Sequence, residues 1–185
     1  SALGSVSVNL DLPDLVMPGE KPKPPKTQHQ AEFSSPANYF DERKIAGLVS
    51  GGQARAKQHA KTLAAVEAKY GVPRQILLAI WGRESGYGAA KIPHDAFDIL
   101  ATDAFMSAQK DKFRVELLAA LEIIERGYMD RKGMKTSWAG ALGQPQFLPS
   151  SYLKYAVDFD GDGRRDIWKS VPDTLASIAN YLKQY

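Results

Sequence analysis

The 185-residue sequence contains no cysteine, and this absence removes several kinds of site. Disulfide bonds, zinc–thiolate centres and thiol nucleophiles are all excluded. A cysteine-free chain is compatible with the cytosol and with the periplasm, so the absence selects neither. The sequence also lacks any run approaching the roughly 18 apolar residues that span a bilayer. No basic stretch precedes an apolar core at the N-terminus, so we predict no signal peptide and expect any exported form to be mature or trimmed.

What is present describes an ordinary soluble domain. Hydrophobic residues make up 44% of the chain and charged residues 24%, and the length suits one domain with a genuine core. The formal net charge of +3 suits an anionic polymer as partner, but many proteins without such a partner share it. Composition alone therefore leaves the function open.

The chain divides into an N-terminal arm and a helical domain. Residues 1–36 hold six of the eleven prolines and favour a Pro-rich, extended arm or linker. Apolar residues alternate over 6–12, which allows one short strand, although a poorly ordered tail is the simpler interpretation. Residues 37–185 form the predicted domain, which we expect to be mainly α with long loops.

Apolar spacing and helix-ending residues give the helices of this domain. Pro73 suits a first helical position, and Ser170 with Asp173 forms a capping-box pattern. Residues 133–146 are rich in glycine and alanine and indicate a loop. The predicted helices cover about residues 53–69, 73–86, 96–108, 111–126 and 149–157, with a last one beginning near 170.

Glu84 is the residue whose position in the sequence most clearly suits a catalytic role. Leu77, Ile80, Trp81 and Glu84 follow helical spacing, so the carboxyl group shares an apolar face. A partly desolvated carboxyl favours its protonated form, which is what protonation of a glycosidic oxygen requires. Gly86 and Gly88 leave space beside it for a bulky ligand. The alternative is a structural glutamate at a helix end, paired with a basic group.

Longer stretches point to a family. The chain reads YGVP at 70–73, AIWGRESGYG at 79–88, SWAGALGQPQFLPSSY at 137–152 and YAVDFDGDG at 155–163. In this order, over residues 38–185, they resemble the membrane-bound lytic murein transglycosylase B family. The resemblance implies a lysozyme-like helical fold.

The resemblance also implies roles for individual residues. Glu84 matches the family's single catalytic acid/base. Ser137 and Gln146 match polar residues of the sugar-binding cleft, and Tyr181 matches a cleft aromatic. Each has a plainer interpretation, as a helix-flanking serine, a loop glutamine and a core tyrosine. Trp138 and Phe147 suit the core as well as a sugar platform.

The implied reaction needs no cofactor. Glu84 would protonate the oxygen that links N-acetylmuramic acid (MurNAc) to N-acetylglucosamine (GlcNAc) in peptidoglycan, and the substrate's own N-acetyl group would stabilise the cationic centre. The ionised carboxylate would then deprotonate the C6 hydroxyl, which closes a 1,6-anhydro ring without consuming water.

The second candidate site is an aspartate-rich loop. Three carboxylates and a glycine at 163 match the front of an EF-hand calcium loop, with a backbone carbonyl next. Lys169 stands where the closing glutamate belongs, and a lysine does not ligate a cation. The longer family loop would bring in Asp173 instead, unless its helix-capping role takes precedence. We predict structural Ca²⁺ (or Na⁺) bound by Asp158, Asp160, Asp162, Arg164 and Asp173; the alternative is an acidic turn without metal.

The sequence departs from the family at two points. An arginine pair usual before the fourth predicted helix is replaced over 108–110, and the chain stops at Tyr185 before a segment that helps to complete the cleft. A compact member, a fragment, or a partner subunit supplying the missing wall would each explain this. Other cell-wall enzymes are further possible partners, and we expect no nucleic-acid partner. The expected location is the periplasm or cell envelope, with any membrane anchor outside this chain.

Three alternative functions stay open at this point. A hydrolytic muramidase would use water to capture the intermediate. A peptidoglycan-binding module would have weak or no catalysis, although the retained Glu84 argues against it. A calcium sensor rests on the aspartate loop alone.

Overall fold

The computed structural model describes residues 3–17, 19–21, 35 and 39–185. Among these residues it is mainly helical, as predicted, with one two-stranded sheet. No helix in the described part of the chain is both long and apolar enough to cross a bilayer. In chain order the elements are α1 (Glu42–Gln58), α2 (Ala60–Tyr70), α3 (Arg74–Ser85), β1 (His94–Asp95), α4 (Ala96–Met106), α5 (Lys110–Glu125), β2 (Lys135–Thr136), α6 (Pro149–Tyr155) and α7 (Val171–Gln184).

The single helix predicted over 53–69 is wrong, because this stretch belongs to two helices that meet at His59. The backbone of His59 (φ −112°, ψ 27°) leaves the helical region, which ends α1 and starts α2. The two helices have different partners: α1 packs against α3 and buries no residue, whereas α2 packs against α7 and buries Leu63 and Val66. Packing on separate partners explains why one continuous helix does not form.

The remaining helices lie close to their predicted positions. Asp95 caps α4 by accepting hydrogen bonds from two backbone N–H groups, and Gly127 follows α5 with a left-handed φ of 71°. Pro73 caps α3 rather than occupying its first turn, and α6 ends at Tyr155, two residues early. Ser170 caps α7 as predicted.

The segment over 133–146 is more ordered than the predicted loop. Lys135 and Thr136 form β2, which pairs antiparallel with β1. Isolated bridges then join Thr136 to Leu142 and Leu142 to Phe147. The first pairing joins residues about 40 positions apart, and the bridges close short turns. A composition rich in glycine and alanine indicates neither.

The N-terminal arm lies along α4 and forms no strand over 6–12. Its backbone N–H groups at Ser7 and Asn9 donate to the side chains of Asp98 and Thr102. Leu12 of this arm is buried. The Pro- and Lys-rich part over 22–34 and the predicted domain boundary after residue 36 lie outside the described residues.

Two hydrophobic clusters form the core. One joins α4, α5 and α6 with the segments around Leu142 and Ile167. The other joins α2, α3 and α7 around Leu77, Trp81 and Ile178. The candidate site lies where these two clusters meet.

Candidate functional site

A pocket of about 350 Å³ lies at the junction of the two hydrophobic clusters. Ile80, Ile178 and Leu182 form the wall from one cluster, and Phe147 and Tyr181 form the wall from the other. The remaining lining residues are Glu84, Pro145, Gln146, Leu148 and Ser151. Three of the four residues predicted for catalysis or sugar binding therefore meet in one place.

Glu84 stands in the last turn of α3, at the edge of this pocket. The helix ends just beyond it because Gly86 adopts a left-handed φ of 57°. Leu77 and Trp81 are buried, but Glu84 is exposed. The helical spacing placed Glu84 on the apolar face of α3, and the structure places it at the exposed end of that face.

The sequence predicted that Gly88 leaves space for a ligand, and at this residue the prediction is wrong. A Cβ atom on Gly88 would stand 2.6 Å from Oε1 of Gln144, so the space is already filled by that amide. Around Gly86, by contrast, a Cβ would meet only Ala89, at 4.0 Å. The close approach of Gln144 explains the glycine at 88.

A tight loop carries Gln146 into the pocket. Leu142 and Phe147 exchange two backbone hydrogen bonds of 2.7 and 3.1 Å, which closes the loop between them. Gln146 has φ 54°, a left-handed conformation uncommon for residues other than glycine. Its Nε2 donates to the carbonyl of Gly143 at 2.9 Å. The loop therefore places the amide of Gln146 next to the ring of Phe147 at the pocket.

Tyr181 belongs both to the pocket and to the core around it. Its ring lies 5.7 Å from the ring of Phe147 and 4.9 Å, edge to face, from that of Tyr155. The ring of Tyr185 stacks on that of Tyr181 at 5.4 Å. Such ring packing fixes the orientation of an aromatic surface that a sugar could contact.

Ser137 does not line this pocket. Its backbone N–H donates to the carbonyl of Ala141, and its hydroxyl accepts from the N–H of Ala141 at 3.3 Å, so it stabilises a turn. Its binding role stays a prediction. Trp138 beside it is 47% exposed and is not a core residue, whereas Phe147 is buried and also borders the pocket.

The aspartate loop brings three predicted ligands together. Carboxylate oxygens of Asp158, Asp160 and Asp162 lie within 4.8 Å of one another. Asp158 shapes the loop by accepting hydrogen bonds from the N–H groups of Gly161 and Gly163. Oxygen donors at this spacing suit a hard cation such as Ca²⁺.

Asp173 is buried beneath the loop and lies outside this cluster of three. One carboxylate oxygen accepts from the N–H of Phe159, and the other accepts from that of Asp166, each at 2.8 Å. Burial raises its pKa, against the lowering effect of these donors. Ser170 accepts from the N–H of Asp173, which is one half of the capping box. The other half of the box, a bond from the Ser170 N–H to the Asp173 carboxylate, does not form. That N–H donates to the carbonyl of Asp166, and the carboxylate holds the loop instead.

Two buried polar residues near the pocket were missed from the sequence. Glu116 on α5 accepts hydrogen bonds from the N–H and the hydroxyl of Ser150, and so fixes the start of α6. Gln144 joins Trp81 to Trp168 through its side-chain amide. Both act through partners far away in the chain, and no local pattern reveals such pairs.

Comparison with known proteins gives a consistent result. Residues 16–185 match the family model described as transglycosylase SLT domain. Membrane-bound lytic murein transglycosylase B of Escherichia coli is 40% identical over 117 residues, which are 63% of this chain and 32% of that protein.

Solved structures agree with the sequence comparison. SltB3 from Pseudomonas aeruginosa, in complex with NAG-NAM-pentapeptide, matches with a TM-score of 0.79 at 37% identity, over 99% of this chain and 46% of that one. The Escherichia coli lytic transglycosylase Slt35, in complex with calcium, matches with a TM-score of 0.69 at 35% identity, over 74% of this chain and 44% of that one.

These matches confirm the lysozyme-like helical fold. The chain spans less than half the length of each of these relatives. The family match covers nearly all of the chain, and the relatives share its fold. The chain therefore belongs to the transglycosylase SLT domain family.

Proposed function

We propose that this chain cleaves the β-1,4 bond between MurNAc and GlcNAc in peptidoglycan and forms 1,6-anhydroMurNAc. The observation that carries the proposal is the meeting of Glu84, Gln146 and Tyr181 in one pocket of a chain from this family. The relative SltB3 was solved with a NAG-NAM-pentapeptide, which is a fragment of the proposed substrate class. Peptidoglycan as the substrate implies the periplasm or cell envelope as the place of action.

Glu84 is the proposed acid and base. Among the described residues that line the pocket it is the sole acidic one. Glycosidases that use two carboxylates need the second one about 5 to 10 Å away, as nucleophile or as base for water. With one carboxylate, the substrate's N-acetyl group would act as the nucleophile, and the C6 hydroxyl would then displace it. Glu84 would donate its proton to the leaving oxygen and later accept the proton of that hydroxyl.

The other pocket residues are proposed to bind and orient the sugars. Tyr181 and Phe147 offer apolar ring faces, while Gln146 offers amide groups for hydrogen bonds with hydroxyl or acetamido groups. Ser137 is a proposed binding residue from the resemblance alone, since it lies outside this pocket. Glycan strands are the proposed partner.

The aspartate loop is proposed to hold a structural cation. Asp158, Asp160 and Asp162 fit Ca²⁺ by the spacing and chemistry of their oxygens, and the relative Slt35 was solved with calcium. Arg164, through its carbonyl, and Asp173 are the remaining proposed ligands. The cation would have no part in bond cleavage; it would fix the loop between α6 and α7.

The proposal is tested by incubating purified peptidoglycan with the parent protein, with Glu84→Gln and with Glu125→Gln. Glu125 is an exposed glutamate on α5, and its variant is the matched control for the loss of one charge. Mass spectrometry should find anhydromuramoyl fragments from the parent and from Glu125→Gln, and none from Glu84→Gln. Reducing-end products would instead identify a muramidase. Binding of peptidoglycan without any product from the parent would identify a binding module.

A further inference from the structure

Gln144 is a buried residue next to the pocket-lining Pro145, and its side chain bonds to both hydrophobic clusters, through Trp81 of one and Trp168 beside the other. The residue is 7% exposed. Its Oε1 accepts a hydrogen bond from the indole Nε1 of Trp81 at 2.7 Å, and its Nε2 donates to the carbonyl oxygen of Trp168 at 2.9 Å. An indole N–H only donates and a carbonyl only accepts, so one orientation of the amide satisfies both partners. Both ends of this side chain are therefore fixed.

Through Trp81 the amide is tied to the helix that carries Glu84. Trp81 precedes Glu84 by three residues in α3, so the two side chains are neighbours on one helical turn. Trp81 is 1% exposed, and its ring is packed edge-on against the rings of His59 and Tyr87 at 5.8 and 5.5 Å. A bond to this indole thus acts on a rigid part of α3.

Through the backbone the same residue anchors the loop that carries Gln146. The N–H of Gln144 donates to the carbonyl of Ile167 at 2.8 Å. Two residues later, Gln146 holds its left-handed backbone conformation. Strained residues persist only where surrounding contacts hold them, and the anchored Gln144 is one of these contacts. The loop and α3 therefore share one buried connection.

We propose that Gln144 is a positioning residue that sets the placement of the Glu84 carboxyl relative to Gln146. It touches no substrate and acts through Trp81 and the loop. This inference rests on the proposed function, because positioning matters only if Glu84 and Gln146 act on one substrate. A misplacement of about 1 Å between reacting groups costs about 100-fold in rate, whereas binding by the remaining walls is little changed.

The test uses steady-state kinetics on soluble, uncross-linked peptidoglycan strands. Gln144→Met keeps the length of the side chain and removes both hydrogen bonds, and Trp81→Phe removes the indole donor from the α3 side. Thr102→Val is the matched control. Thr102 is 2% exposed, its hydroxyl also makes two hydrogen bonds, and it lies under the N-terminal arm, away from the pocket.

For Gln144→Met we expect kcat to fall by about 10- to 100-fold with KM within about threefold of the parent. Trp81→Phe should also lower kcat, and the double variant should be no slower than the slower single one, because both changes break one connection. Thr102→Val should lose thermal stability and keep the parent's kcat. Should Gln144→Met fail to fold, Trp81→Phe tests the same bond by itself.

Parent-like kcat in folded Gln144→Met or folded Trp81→Phe would overturn the inference. So would losses that multiply in the double variant, because independent effects are then at work. If the parent itself releases no product, the proposed function fails instead, and the two failures are thereby distinguished.

Discussion

Calcium should raise the thermal stability of this protein through the loop over 158–163. The three carboxylates of Asp158, Asp160 and Asp162 have oxygens within 4.8 Å of one another. At that distance each like-charged pair repels by about 0.9 kcal/mol even in water. The three pairs together repel by roughly 2 to 3 kcal/mol, and salt in the buffer screens part of this repulsion. A bound cation would offset the rest.

Linkage gives a similar magnitude. If the site has a dissociation constant near ~0.1 mM, as in weak calcium modules, ~10 mM calcium stabilises the folded state by about 2.7 kcal/mol. For a chain of this size each kcal/mol shifts Tm by about 2 to 4 °C, so we expect a rise of roughly 5 to 10 °C. Differential scanning calorimetry in calcium and in chelator, at equal ionic strength, measures it.

Two variants make the calcium test specific. Asp162→Asn removes one charge but keeps an oxygen that can accept the hydrogen bond from the N–H of Arg164. Asp111→Asn is the control, since Asp111 is an exposed aspartate on α5. Calcium should shift the Tm of Asp111→Asn as in the parent and that of Asp162→Asn much less. An unchanged Tm in the parent, or equal shifts in all three proteins, would refute the cation site.

Three further predictions concern stability. Burial raises the pKa of Asp103 to about 6, so the folded state binds its proton more tightly. Between about pH 4 and pH 6 the free energy of unfolding of the parent should therefore fall, relative to Asp103→Asn, by up to about 3 kcal/mol; equal pH profiles by denaturant unfolding would contradict this. Glu116→Met removes both acceptors of the Ser150 N–H and hydroxyl and should cost about 1 to 3 kcal/mol in the same assay; an unchanged midpoint would show that these two hydrogen bonds do not stabilise the start of α6. Gly88→Ala should destabilise more than Gly71→Ala, because both glycines have positive φ but only at Gly88 would the Cβ collide with Gln144; equal losses would leave backbone strain as the sole cause.

Local signals predicted much of the fold. The Ser170 cap correctly indicated the start of α7, because its hydroxyl accepts a backbone hydrogen bond that a helix start requires. The predicted start of α4 near residue 96 is also correct, and the structure shows that Asp95 caps it. Glycines likewise marked the ends of α3 and α5. The break at His59 was missed, because it reflects the different packing partners of α1 and α2.

The candidate site was predictable in part. The motif resemblance indicated Glu84, Gln146 and Tyr181, and the pocket contains all three. The exposure of Glu84 was not predicted, because helical spacing shows which face a residue shares and not where the core ends. The roles of Gln144 and Asp173 depend on hydrogen bonds to residues 7 to 63 positions away. Only the tertiary fold supplies such partners.

The most direct test of the proposed function is the origin of the oxygen at the new chain end. Purified peptidoglycan is cleaved in water enriched in heavy oxygen, and the released muramoyl fragments are weighed by mass spectrometry. Intramolecular capture by the C6 hydroxyl predicts anhydro products lighter by one water, without label, and dependent on Glu84. Reducing ends that carry the heavy oxygen would show capture by water and would contradict the account.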